Sequence, residues 1–434
     1  MSSSLTPEML TAYFLKGSKP RSDHQIGVEW EKIGVYRDSA KAITYTGKNG
    51  VKAIFQGLIE KYGWKPVPGK MSPIALKKGH GSITLEPGGQ IELSGQKAKH
   101  LDQNASELYT HLEEIKNISV PLGIAWLGIG AQPVSVAEEI EWTPKERYRI
   151  MQKSLKKKGA LTFSMMKETA SVQVSLDYSD EEDAITKLRL AMGLSPFLTA
   201  MFANSPLKKG KTSGYLSRRA FIWENTAPER SGILWDALDP KKGFQGYINY
   251  ALKVPMLFLL RKEKWMAVRG INFKEFMEKG YQGQQATLAD WELHLSGIFT
   301  EARLKQYVEI RSIDCQKTAM GLSAAALIKG IFYHEASLKK AYQLLVGFTE
   351  KQLKDLRAKA AVHGLKAALP NGEKIQKICL ELLELADKGL EKEKKYLFPL
   401  RIHLERGITP AEIVLECFDA RQPLLSCAAI EGWW

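Results

Sequence analysis

Cysteine is scarce in this chain. The four cysteines among 434 residues, Cys315, Cys379, Cys417 and Cys427, all lie in the C-terminal part and none forms a CxxC pair. That pattern argues against a zinc site or a disulfide framework and predicts buried free thiols. Long apolar runs are also missing. The longest, Val254 to Leu260, is closed by Arg261 and Lys262 and is far too short to cross a bilayer, so no membrane partner is expected. The first residues, MSSSLTPEML, lack the basic start and apolar stretch of a secretory signal, which predicts a soluble, cytoplasmic protein. No internal repeat and no Pro/Gly/Ser-rich linker divides the sequence. The length prior of two or three domains therefore gives way to a single catalytic unit spanning 1–434. No Ser/His/Asp or Cys/His constellation stands out, and His80 and His294 are assigned structural or surface roles.

Charge is unbalanced, at +14, and a basic chain can bind nucleic acid. Here the lysines are dispersed in small groups such as Lys156-Lys157-Lys158 and Lys208-Lys209, outside any nucleic-acid-binding motif. The reading is a solvated basic surface that attracts anionic substrates, with no nucleic-acid partner.

The order of secondary structure separates two regions. Residues 26–35, IGVEWEKIGV, read as a strand, and 82–94, SITLEPGGQIELS, as two strands joined by Glu86-Pro87-Gly88-Gly89. Proline at the second turn position and glycine at the third predict a type II turn. Residues 170–178 and 305–313 are further strands. Helix starts are marked at Thr143-Pro144-Lys145-Glu146 and Thr409-Pro410-Ala411-Glu412 by capping boxes with first-turn proline, and at Thr349 with Gln352. Ile378, Cys379, Leu382 and Ala386 share one helical face. The chain is thus sheet-rich to about residue 320 and mostly helical from 320 to 434. Without a regular βαβ rhythm, this favours an α+β fold with a mainly antiparallel sheet.

Polar residues recur on these strands at a spacing of two. Glu29 and Glu31 share one face of their strand, as do Gln90 with Glu92 and Glu309 with Arg311. Glu86 precedes the turn, and Gln173 interrupts an apolar strand. Adjacent like charges on one face are costly unless exposed or neutralised. A solvent-facing edge would explain one pair; several such strands in one sheet would gather their acids around a hard cation such as Mg2+, held together with substrate phosphates. Arg311 would then stabilise charge on a transferring phosphoryl group.

At these strands the sequence resembles the glutamate–cysteine ligase family (γ-glutamylcysteine synthetase), in its plant-type and proteobacterial branch. The resemblance is carried by GVEWEKIG at 27–34, SITLEPGGQIELSG at 82–95, KERYRIM at 145–151, SVQVSLDY at 171–178, IWENTAPERSG at 222–232 and DWELHLSGIFTEARLKQYVEIR at 290–311. It implies a glutamine-synthetase-like catalytic fold, a curved and mainly antiparallel sheet with flanking helices that holds Mg2+ and ATP. It also implies phosphorylation of the glutamate γ-carboxylate and attack by the cysteine amine, the first step of glutathione synthesis, by a monomer or homodimer. Carried over by residue, Glu29, Glu31, Glu86, Glu92, Gln173 and Glu309 would ligate metal and Arg311 would face the transferring phosphate. Arg147, Arg219 and Arg230 would bind substrate carboxylates.

Some positions depart from the family pattern. Glu168 stands where relatives carry arginine, Ser175 replaces asparagine, and Arg218 and Phe221 replace methionine and histidine. These departures leave the acids intact and bear on the acceptor, so a γ-glutamyl ligase for another amine is the alternative reading. The cysteine of plant enzymes is absent from YQGQQAT at 281–287, which predicts no redox control of the plant type.

Overall fold

The computed structural model describes residues 5–67, 73–419 and 421–432. Nine strands make the main sheet: β1 Ile26–Tyr36, β2 Lys65–Pro66, β3 Ala75–Lys78, β4 Gly81–Leu85, β5 Ile91–Ser94, β6 Ile124–Leu127, β7 Ser171–Leu176, β8 Ala302–Leu304 and β9 Val308–Asp314. Their order is β8-β9-β7-β1-β5-β4-β3-β2, and β6 pairs with the second half of β1. All of these pairings are antiparallel. This is the α+β fold with an antiparallel sheet that the alternating strand pattern predicts.

The two faces of the sheet differ because side chains alternate along each strand. Val28 and Trp30 on β1, and Val172, Val174 and Leu176 on β7, are buried apolar residues turned to one side. The helices Glu181–Met201 (α1) and Thr318–Phe332 (α2) cover that side, and Glu350–His363 (α3) and Gln376–Lys388 (α4) pack behind them. Small residues set this close packing. A Cβ on Gly321 of α2 would lie 2.8 Å from the Trp30 ring, and one on Gly330 would lie 2.3 Å from the Ala386 carbonyl oxygen. The region after residue 318 is helical, and the capping boxes at Thr349–Gln352 and Thr409–Glu412 form as the sequence predicts.

On the opposite face the register brings the polar residues together. Glu29 pairs across to Gln173, Glu31 to Glu92, and Glu309 to Ser175. A bulge on β9, where Ile310 and Ile313 answer Val174 and Val172, keeps both isoleucines on the apolar face while Arg311 turns toward Gln173.

Three local expectations are corrected. In the 86–89 turn the left-handed residue is Gly89 (φ +81°) and not Gly88, so the turn is not type II. Gly88 is needed for another reason, since a Cβ there would meet the Lys167 carbonyl oxygen at 2.3 Å. Thr143 does not cap a helix. Its hydroxyl donates to the Glu86 carbonyl at 2.6 Å and its N–H to the Pro87 carbonyl, and the helix begins at Glu146 instead. Thirdly, only Cys315 and Cys379 are buried free thiols, whereas Cys417 and Cys427 form a disulfide. Their spacing of ten residues is not a recognised framework; the reversal of chain direction between helices Pro410–Asp419 and Leu424–Ala428 brings them together.

That disulfide closes a loop of ten residues, so it restrains the unfolded chain. Cys427→Ser should lower unfolding free energy by about 2–3 kcal/mol. Denaturant titration checks this, and dithiothreitol should shift the wild type by a similar amount and leave the variant unmoved.

Candidate active site

The polar face of the sheet forms the floor of a cavity of about 330 Å³. Its walls come from Glu146–Leu155 (α5), Thr162–Glu168 (α6) and Arg218–Glu224 (α7). Glu29, Glu31, Glu86, Glu92, Gln173, Arg147, Arg219 and Arg311 all line it. Two residues expected here do not. Arg230 is buried elsewhere and donates to the Gly297 and Pro255 carbonyls, while Glu309 lies fully buried beneath the cavity floor. Gln90 is also occupied elsewhere, accepting from Gly88 N–H and donating to the Thr169 carbonyl.

The acids are held at two levels of charge balance. Burial alone would raise Glu309, but Arg303 at 2.7 Å, Lys305 at 3.5 Å and Arg311 at 2.8 Å outweigh it and hold its carboxyl well below the usual range. The others lack such compensation. Burial and the neighbouring Glu92 and Glu309 push Glu29 well above the carboxylate range. Burial together with Glu86 and Glu92 pushes Glu31 up to about 8, although its oxygens accept from Ser171 N–H at 2.6 Å and Gln173 Nε2 at 2.8 Å. Burial and Glu92 likewise raise Glu86. These shifts have one cause, which is negative charge collected out of water without enough protein cation to match it.

Oxygen donors in excess of positive charge fit a hard divalent cation by kind. As they stand, no three His, Cys, Asp or Glu side chains among the described residues are close enough to hold a metal ion alone. Mg2+ does not require such a cage, because it keeps several waters and is completed by substrate phosphates. The residues present therefore fit Mg2+ as a shared ion and do not form a preassembled all-protein site. Gln173 is a weaker donor in this arrangement, because its Oε1 accepts from Arg311.

Several cavity residues were not singled out in the sequence. Tyr148 donates to the Leu85 carbonyl at 2.7 Å, and Arg303 and Lys305 flank Glu309. Arg303 and Lys305 sit two apart on the segment entering β9, a spacing of the same kind as Glu29 and Glu31. Trp223 lies one helical turn beyond Arg219 on α7. Arg147 donates to the Ser296 carbonyl at 3.1 Å and hydroxyl at 3.0 Å. Arg147, Ser296 and Lys305 also line a second cavity of about 490 Å³, whose wall carries Lys16, Lys19 and Lys97. The two cavities therefore adjoin at Arg147, Ser296 and Lys305.

The sequence model of the glutamate-cysteine ligase family 2 matches residues 25–425. The chain belongs to this family of ligases. It is 39% identical over 428 residues to the chloroplastic glutamate–cysteine ligase B of rice (Oryza sativa subsp. japonica), covering 97% of this chain and 86% of that protein. To the chloroplastic glutamate–cysteine ligase of Arabidopsis thaliana it is 38% identical over 422 residues, covering 96% and 80%. In fold it resembles the glutamate–cysteine ligase of Francisella tularensis solved in complex with AMP. That match has a TM-score of 0.58 at 13% identity and covers 93% of this chain and 86% of that one.

The plant relatives overturn one expectation. The expectation was a cytoplasmic protein, whereas the names of these relatives place those proteins in the chloroplast. The lack of an apolar leader in the first residues speaks only to secretion.

The departures from the family pattern lie outside the cavity lining. Glu168 and Arg218 are both buried and form an ion pair, and Glu168 Oε1 also accepts from Ala137 N–H at 2.8 Å. The negative charge at 168 is matched by the positive charge at 218. Phe221 stacks on Tyr215 with ring centroids 4.4 Å apart, and Ser175 faces Glu309 across β7 and β9. Arg218→Met would leave the Glu168 carboxylate buried without its counter-charge, a cost of about 3–5 kcal/mol. Unfolding by denaturant should register that loss, whereas KM values measured below the unfolding transition should stay within about twofold of wild type.

Proposed function

We propose that this ligase couples the γ-carboxylate of glutamate to the amino group of cysteine at the expense of ATP, through a γ-glutamyl phosphate. The observation that carries this reading is the cavity itself, where the crowded carboxylates of Glu29, Glu31 and Glu86, together with Glu92, share one lining with arginines 147, 219 and 311. A carboxylate is a poor acylating agent, and transfer of the ATP γ-phosphoryl group to a carboxylate oxygen gives it a leaving group. ADP departs first, and phosphate departs when the amine has attacked the acyl carbon.

Mg2+, when bound by Glu29, Glu31, Glu86 and Glu92, would supply positive charge against the nucleotide phosphates. The protein's own groups do the rest. Arg311 is fixed by Glu309 and Gln173, so its guanidinium is already oriented toward charge developing on the moving phosphoryl group. Arg147 and Lys305 stand where the two cavities meet and would guide an anionic substrate inward. Met151, Met165, Met166 and Phe299 line the remaining wall and help keep water from the acyl phosphate. Cysteine is the favoured acceptor because Glu168, Arg218 and Phe221 are absent from the cavity lining.

Glutamate carrying 18O in its γ-carboxyl should deliver one 18O to inorganic phosphate per product, read by mass spectrometry. Phosphate free of label would contradict the acyl phosphate. In an acceptor panel, cysteine should give the largest ADP formation above the glutamate-only blank; a larger response to another amine would reassign the acceptor. Glu31→Gln should lower Mg-ATP turnover by at least about 100-fold while circular dichroism stays unchanged, since it removes charge and keeps shape.

A further inference from the structure

Another cavity, of about 650 Å³, shares no lining residue with the catalytic one. Its volume suits a small-molecule site. The lining holds five basic residues, Lys153, Lys158, Arg230, Lys253 and Arg269, against two acids, Glu229 and Glu275. Both acids are engaged. Glu229 lies 3.6 Å from Lys158 and 4.0 Å from Arg230, and Glu275 accepts from the Asn272 N–H at 2.9 Å. Lys153, Lys253 and Arg269 have no ion-pair partner among the described residues. They reach the cavity from three segments: α5, the end of the helix Phe244–Lys253, and the chain that leaves the hairpin 258–267.

Leu155, Met256, Leu257 and Val268 are buried and give the cavity an apolar floor. Arg230 is buried there too, and its bonds to the Gly297 and Pro255 carbonyls fix its charge in place. Burial lowers Arg230 to about 10, which Glu229 offsets only in part. A recess of one sign with low-dielectric walls focuses the field and concentrates counter-ions.

The same residues connect this cavity to the catalytic one. Helix α5 carries Arg147, Tyr148 and Met151 to the catalytic lining, and Lys153 and Leu155 to this one. Arg230 donates to the Gly297 carbonyl at 2.9 Å, and its own carbonyl accepts from the Phe299 N–H at 2.6 Å. Ser296 and Phe299, on either side of that contact, line the catalytic cavity. Three residues before Arg230, the buried Ala227 has a left-handed φ of +38°, which is costly for a residue other than glycine. Its N–H donates to the Lys158 carbonyl, so the two basic segments are tied together.

We propose that this cavity is an effector site for a phosphate monoester with an aliphatic body. Three unpaired cations match the near-double charge of a phosphate monoester better than the single charge of a carboxylate. The apolar floor takes the uncharged chain. The effector role rests on the ligase reading above, whereas binding itself does not.

The probe is n-butyl phosphate, titrated calorimetrically with Mg2+, glutamate and a non-hydrolysable ATP analogue saturating, so that the catalytic cavity is filled. The wild type should bind it, and should bind butyrate at least about tenfold more weakly. Lys153→Gln/Lys253→Gln/Arg269→Gln should weaken butyl phosphate binding at least about tenfold. Lys208→Gln/Lys209→Gln/Lys211→Gln removes the same charge from another hairpin and should leave it within twofold. No binding to the wild type, equal binding of butyrate, or equal weakening in the two variants would overturn the site. At saturating ATP, butyl phosphate should shift the glutamate KM of the wild type by about fivefold or more, and that of the first variant by less than twofold. Binding with an unshifted KM would overturn the effector role. A wild type that forms no ADP with glutamate and cysteine would refute the ligase reading, and the titration would still decide the site.

Discussion

The arrangement of this protein depends on one electrostatic constraint, the burial of several carboxylates on one face of a sheet whose own cations are already spent. Glu309 takes Arg303, Lys305 and Arg311 for itself. That leaves Glu29, Glu31 and Glu86 crowded by one another and by Glu92, and their proton affinities rise accordingly. A folded chain tolerates such a surplus when an external cation completes it. The helical layers on the opposite face serve this arrangement. Close contacts at Gly321 and Gly330 fix α2 against Trp30 on one side and Ala386 of α4 on the other, and Trp30 sits on β1 between Glu29 and Glu31.

Strand spacing made much of this legible in advance. Glu29, Glu31, Glu92 and Gln173 could be placed on common faces because strand side chains alternate with period two, and register then set them opposite one another. Register itself was not legible, and neither was the β9 bulge that turns Arg311 inward while keeping Ile310 and Ile313 in the core. Arg230 shows the limit of residue-type reasoning. A guanidinium suits a carboxylate, but here it satisfies the carbonyls of Gly297 and Pro255, and sequence carries no signal that separates the two uses. Trp223 was missed for a related reason: an aromatic residue on a short helix reads as core, and only the fold shows that it lines the cavity.

Charge changes that looked like altered specificity have a structural explanation. Glu168 and Arg218 are fifty positions apart in sequence, yet they meet as a buried pair. Read separately they suggested a remodelled acceptor pocket, whereas together they form one internal ion pair outside the cavity lining. The disulfide between Cys417 and Cys427 similarly escaped notice because its partners come from two helices whose reversal only the fold reveals.

Binding of a divalent cation beside a nucleotide in the acid-lined cavity can be measured directly. Mn2+ can stand in for Mg2+ and be followed by its paramagnetic resonance in the presence of a non-hydrolysable ATP analogue. The wild type should bind Mn2+ far more tightly with the analogue than the analogue does alone, and the Glu29→Gln/Glu31→Gln double variant, folded by circular dichroism, should lose that enhancement. Equal enhancement in the two proteins would contradict the account.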